Sequence, residues 1–247
     1  MDAARRVLIM AEMHGRDLIR RHIALALLVA LPLTFYFTSA GSGKSAVASG
    51  GIGLAFAVAG ATLFSALSSL EVDQRLVLAG YRPFELLLGR LLFLAPVGLV
   101  MAAAFATLMA GISHSSNVWL LGLGVALVAL QSVPLGLAIG AVVPRELEGT
   151  LVLIGIVGTQ LAVRPTGVVA KTLPFYGPRR LIQDSIIGHG QVWGPLAQTL
   201  LYGVALLITA RIALGPRLSV IHHGKVDGAG LSTESAAANC EGDDVGH

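Results

Sequence analysis

The sequence predicts an all-α integral membrane protein with six transmembrane helices, and three observations carry that prediction. Hydrophobic residues make up 55% of the 247-residue chain and charged residues only 13%, about half the charge of an average soluble domain. Uncharged stretches approach about twenty residues, the length a helix needs to cross a bilayer with its backbone hydrogen bonds satisfied internally. Basic residues also fall unevenly between successive connections, as loops on opposite sides of a membrane do.

The predicted spans cover residues 22–38, 50–70, 91–111, 118–143, 150–170 (apolar core 150–163) and 193–214. Residues 1–221 thus read as one transmembrane domain. Arg5, Arg6, Arg16, Arg20, Arg21, Arg75, Arg82, Arg90, Arg145, Arg211, Arg217 and Lys225 fall to one side. Lys44, Arg164, Lys171, Arg179 and Arg180 fall to the other. The positive-inside rule then puts both termini in the cytoplasm.

Taken in order, residues 5–21, RRVLIMAEMHGRDLIRR, precede the first span. Eight charged residues come before that span and no small-x-small site follows it, so a cleaved signal peptide is a poor account. On a helical wheel Val7, Leu8, Ala11, Leu18 and Ile19 oppose Arg5, Arg6, Glu12, Arg16, Asp17 and Arg20, with Ile9, Met10 and Met13 blurring the division. This pattern predicts an amphipathic helix lying in the cytoplasmic interface, against the plainer alternative of a charged flank.

Between spans one and two, residues 39–49 contain Gly43-Lys44-Ser45, the end of a phosphate-binding G-x-x-x-x-G-K-[ST] loop. Thr38 occupies the place of the first glycine, and the predicted element before it is a helix where the motif needs a strand. The Gly/Ser-rich segment is therefore expected to be a flexible connection.

The connection between spans two and three, SSLEVDQRLVLAGYRPFELLLGRLLF, mixes charge with Leu76, Val77, Leu78, Leu86, Leu87 and Leu88, broken by Gly80 and Pro83. Short helices with one apolar side and a charged rim suit the docking of another protein. In span four, Gly136-x-x-x-Gly140 permits close helix approach. After residue 221 the chain turns Gly-, Ala- and Ser-rich and acidic, so 222–247 is expected to be a disordered cytoplasmic tail. Its adjacent His222 and His223 lack further ligands for a metal, and Cys240 is the only cysteine.

No ionisable residue lies near the middle of a span, which argues against a carrier driven by its own proton or ion site. The spans do hold Thr62, Ser65, Gln131, Thr159, Gln160, Gln198 and Tyr202. These residues read as interhelical hydrogen-bonding groups, or, for Gln131, Thr159, Gln160, Gln198 and Tyr202, as a substrate path. No H-E-x-x-H or G-x-S-x-G motif is present. An integral membrane enzyme would have to work with Glu71, Asp73, Glu146 and Glu148, a meagre set.

At the second connection the sequence resembles type-2 ATP-binding-cassette (ABC) exporter permeases. These carry an acidic start, a Leu-rich helix, a Gly, and a Pro before a Glu-Leu-Leu-Leu-Gly-Lys/Arg run. The counterparts here are Glu71, the RLVLAG stretch, Pro83 and FELLLGR at 84–90. LPFYGPRRLIQDSIIGHG, 173–190, resembles the family's external element that dips back into the membrane between spans five and six. VPRELEG, 143–149, resembles its short cytoplasmic connection before span five.

The resemblance implies an amino-terminal interfacial helix, a coupling helix at 71–90 and a re-entrant loop at 173–190. Glu71, Arg75, Arg82, Pro83, Phe84 and Glu85 would couple to a nucleotide-binding subunit that uses ATP and Mg, while this chain binds no cofactor. Partners would be that subunit, a second identical or homologous permease and the lipid bilayer of the plasma membrane, with no nucleic acid. The cargo would be an amphipathic drug, lipid or glycan. The competing expectation is a membrane-embedded assembly or scaffold protein that moves nothing.

Overall fold

A computed structural model describes residues 22–39, 44–113, 116–163, 167–188 and 190–219. The expected amino-terminal interfacial helix and carboxy-terminal tail lie outside them. The described residues form nine helices and no strand: α1 His22–Thr38, α2 Lys44–Ser68, α3 Leu70–Leu78, α4 Pro83–Ser113, α5 Val118–Val142, α6 Glu146–Ala162, α7 Val168–Lys171, α8 Tyr176–Ile187 and α9 Trp193–Ser219.

Four helices are long and apolar enough to cross a membrane, within α2, α4, α5 and α9. The apolar helix α6 has 17 residues, or about 25 Å at the helical rise, short of a hydrocarbon core of about 30 Å; α1 is described over the 17 residues from His22. The protein is an all-helical chain compatible with embedding in a membrane.

Several boundaries differ from those expected, for local reasons. Helix α2 already runs from Lys44, so the connection expected over 39–49 is shortened to 39–43 and its Lys44 and Ser45 are helical. Helix α4 starts at Pro83, eight residues before the expected span. Proline suits the first helical position, where its missing N–H costs nothing and its φ is preset. Glu85 then accepts a hydrogen bond from the Arg82 backbone N–H at 3.1 Å, one half of a capping box. Helix α6 stops at Ala162, with extended Val163 closing it, so the fifth apolar run does not continue to 170 and α7 is a separate turn.

Helix α5 is the axis of the bundle and packs on α2, α4, α6, α8 and α9. Its membrane-length window is 83% buried, against 11% for that of α9. A helix apolar on every side belongs at the centre of such a bundle. Contact with α2 is closest at Gly136, where a Cβ would overlap the Ala59 carbonyl oxygen and stand 2.7 Å from Thr62 Cβ. Gly140 faces Ala66 and Leu63 one turn on. The Gly-x-x-x-Gly pair read in the sequence is thus the seam between α2 and α5.

The two ends of the bundle differ. At one, α3 lies between the C-terminus of α2 and the N-terminus of α4. At the other, α8 packs below the N-termini of α2, α5 and α9: Ile182 crowds Gly51 and Gly124, and Gly177 faces the Pro195 backbone. Gly51 and Gly124 stand two turns inside their helices, so α8 is sunk into the bundle at a depth of about 10 Å. Gly188, at φ 92°, ends it in the left-handed conformation that glycine adopts without strain.

Candidate functional site

Helix α3 presents two faces. Leu70, Asp73 and Val77, spaced three and four apart, turn toward the bundle; Val72, Arg75 and Leu78 are exposed. A turn over Ala79–Arg82, with Gly80 at φ 92°, reverses the chain into α4. The result is a helical corner, Ser69 to Arg90, standing on one end of the bundle.

The corner is held by a buried ion pair. Arg90 Nη2 contacts Asp73 Oδ2 at 2.5 Å, and the two side chains are 2% and 4% exposed. The same nitrogen donates to the Ser69 hydroxyl, which in turn donates to the Ser65 carbonyl of α2. One guanidinium therefore ties α4 to α3 and, through Ser69, to α2. A charge buried this deeply is tolerated only when it is paired and hydrogen-bonded. In the sequence Arg90 figured as a loop charge and Asp73 as one of four acids open to an integral membrane enzyme. The available signal was an arginine set inside LLLGRLLF, an apolar run in which a lone cation demands a partner.

Of the six residues expected to couple, Arg82, Pro83, Phe84 and Glu85 come together in the first turn of α4. Arg82 and Phe84 are exposed, while Glu85 is half-buried by its capping role. The Arg211 guanidinium of α9 lies 5.4 Å from the centre of the Phe84 ring, within cation–π range. Arg75 is exposed on α3, and the side chain of Glu71 is outside the described residues. At the same end of the bundle, Arg145 and Glu148 form an exposed pair at 3.1 Å beside an 81% exposed Leu147.

The five residues of the expected substrate path are brought to separate places. Gln131 is buried in α5 against Gly203 of α9, and its Nε2 has no partner among the described residues. Thr159 is exposed and bonds back to the Gly155 carbonyl of its own helix. Gln160 is buried near the end of α6, its Nε2 also unpartnered among the described residues. Gln198 donates to the Lys171 carbonyl at 2.7 Å, and the Tyr202 hydroxyl donates to the Thr172 carbonyl. Those two fasten α9 to the end of α7. Two small, partly open pockets in the bundle hold about 10 Å³ each, and none of the five residues lines either. Each is room for about one water.

At the α8 end, Arg179 Nη1 donates to the Gln160 and Val163 carbonyls, which close the C-terminus of α6. A cation there satisfies carbonyls that the helix leaves open and meets the negative end of its dipole. Burial pushes the Arg179 pKa below its ordinary value, yet an arginine remains charged at any physiological pH. Arg180 reaches Asp184 one turn along at 3.8 Å.

Gly43-Lys44-Ser45 leads into α2 with helix α1 before it and no strand among the described residues. That is the wrong support for a phosphate-binding loop.

No protein-family model matches this sequence, and no curated protein is significantly similar to it.

Proposed function

We propose that this chain is the transmembrane permease subunit of an ATP-driven exporter of the type-2 ABC kind, energised by a separate nucleotide-binding subunit. The observation that carries the reading is the α3–α4 corner. A nine-residue helix stands on the end of the bundle, bolted to α4 through Asp73 and Arg90; it presents Val72, Arg75 and Leu78 outward, and the start of α4 adds Arg82 and Phe84. An apolar knob with a cationic rim suits a cleft in a partner, and its anchor is stiff enough to pass a push into the bundle.

In this reading six helices span the membrane: α1, α2, α4, α5, α6 and α9. The shortness of α6 is met by α7 and α8, which enter from the opposite surface as a re-entrant element. The α3 end is cytoplasmic, since Arg75, Arg82, Arg145 and Arg211 collect there, and both termini follow them inside the plasma membrane. The partner subunit binds ATP and Mg, and a second permease copy or homologue completes the transporter. The cargo is an amphipathic drug, lipid or glycan.

One observation favours the alternative of a membrane-embedded scaffold. Gln131, Thr159, Gln160, Gln198 and Tyr202 share no lumen within the chain. A path formed between two permease copies accounts for the same dispersal.

The test is purification of the tagged chain with its cellular partners, followed by ATPase measurement. An ABC-type ATPase subunit is expected to co-purify. Arg82→Glu and Leu78→Glu, both at exposed positions, are expected to reduce ATPase stimulation while membrane insertion is unchanged. Retention of full stimulation in both variants would overturn coupling through this corner.

A further inference from the structure

We propose that Asp73 and Arg90 are positioning residues that make α3 and α4 move as one body, so that displacement of the exposed corner is delivered to the centre of the bundle. The inference rests on the exporter reading for what does the pushing, and on the geometry alone for the joint.

Two features of the geometry point to this role. First, the pair is a buried polar bond between α3 and the helix that follows it: Arg90 holds Asp73 and Ser69 from a single nitrogen. The apolar side of α3 supplies only Leu70 and Val77 to the core, each partly buried, while Val72, Arg75 and Leu78 face outward. Without the bond, the apolar hold of α3 on the core would come from Leu70 and Val77. Second, Arg90 stands where five helices meet. The small cavity beside it is lined by Ala66 of α2, Leu70 of α3, Leu87 of α4, Leu137 and Gly140 of α5, and Leu214 of α9. A shift of the guanidinium is thus felt by α2, α4, α5 and α9.

Coupling between distant sites is carried by contiguous packed and hydrogen-bonded elements. An ion pair that fixes the nine-residue α3 to the 31-residue α4 is such a link. Apolar side chains of similar size would keep α3 in contact with the bundle, because replacing a buried pair as a whole is commonly tolerated. They would not hold the angle between the two helices, since apolar contact has no direction.

Two measurements on the full chain test this. In the first, the purified chain, reconstituted in phosphatidylglycerol-containing nanodiscs, is titrated against the co-purifying ATPase subunit. The double variant Asp73→Leu/Arg90→Met is expected to lower the maximal stimulation of ATP hydrolysis about tenfold, within the usual range of coupling between sites. The half-saturating concentration should stay within about twofold, because the docking surface is untouched. Arg90→Lys keeps a cation opposite Asp73 and is expected to restore most of the stimulation. Native stimulation by the double variant overturns the proposal, and so does Arg90→Lys as impaired as the double variant.

In the second, spin labels at Leu78→Cys on α3 and Val100→Cys on α4, both exposed, report the inter-helix distance on a Cys240→Ala background. The native pair is expected to give a narrow distribution and the double variant a broad one with the same mean. Equal widths overturn the joint. If no ATPase subunit stimulates the native chain, the exporter reading fails, and the width of this distribution still decides the joint.

Discussion

The Arg211 guanidinium of α9 sits 5.4 Å from the centre of the Phe84 ring in the first turn of α4. This contact closes the bundle at the α3 end by joining its last long helix to the base of the corner. Both groups are exposed, so its worth is about 0.5–1 kcal/mol. Phe84→Leu is expected to lower the melting temperature of the detergent-solubilised protein slightly, and Phe84→Trp to preserve it. An unchanged melting temperature in Phe84→Leu would show that the contact contributes nothing to stability.

Gly136 is the position least able to accept a side chain. Any Cβ there meets the Ala59 carbonyl and Thr62, backbone and β-branched atoms that cannot swing aside. Gly136→Leu is expected to force α2 from α5 and cost well over about 3 kcal/mol, the upper range of ordinary overpacking. Gly155→Ala on α6, where nothing lies within 4 Å, is the control and should leave folding intact. Size-exclusion profiles and thermal unfolding of the two variants check this.

Removing one member of the buried pair should be far worse than removing both. Arg90→Met leaves Asp73 buried without its cation and is expected to cost about 3–5 kcal/mol, whereas the double variant with Asp73→Leu falls close to the native chain. A double-mutant cycle by thermal unfolding measures the difference. Additive effects of the two substitutions would show that the pair is not coupled.

Gln131 carries an amide nitrogen that finds no acceptor among the described residues. Replacing it with apolar Leu removes that burden and is expected to raise stability by about 1–2 kcal/mol. If transport falls while the melting temperature rises, Gln131 serves the cargo. Should both fall, it serves the packing of α5 on α9.

The chain has two tryptophans, Trp119 at the start of α5 and Trp193 at the start of α9, both largely exposed at the α8 end. Tryptophan favours the boundary between headgroups and hydrocarbon. In proteoliposomes of defined orientation, iodide added from the side opposite the α3 corner is expected to quench the fluorescence of both. Quenching from the corner side would reverse the orientation.

Much of the architecture was legible because hydrophobic length is a signal that no partner can disguise. The interiors of α2, α4, α5 and α9 follow from uncharged runs alone. Helix ends were less visible: α4 begins at Pro83 because proline and Glu85 start a helix there, although the charge of Arg90 had suggested a loop. The seam at Gly136 and Gly140 was readable as a spacing, yet only the geometry shows that α2 fills it. The Asp73–Arg90 bond was hidden by the sixteen residues between its members, a separation that no local periodicity reports. The scattering of Gln131, Gln160, Gln198 and Tyr202 was likewise invisible, since each depends on which helices become neighbours.

Helix α5 has one further consequence, for how the protein is made. It is apolar on all sides although its final neighbours are protein and not lipid. A ribosome delivers α5 before α8 and α9 exist, and a helix this apolar can wait in the bilayer until they arrive, with Gln131 as its chief polar cost. Insertion is thereby separated in time from packing, and α9, the last of the described helices, is the one that covers Gln131.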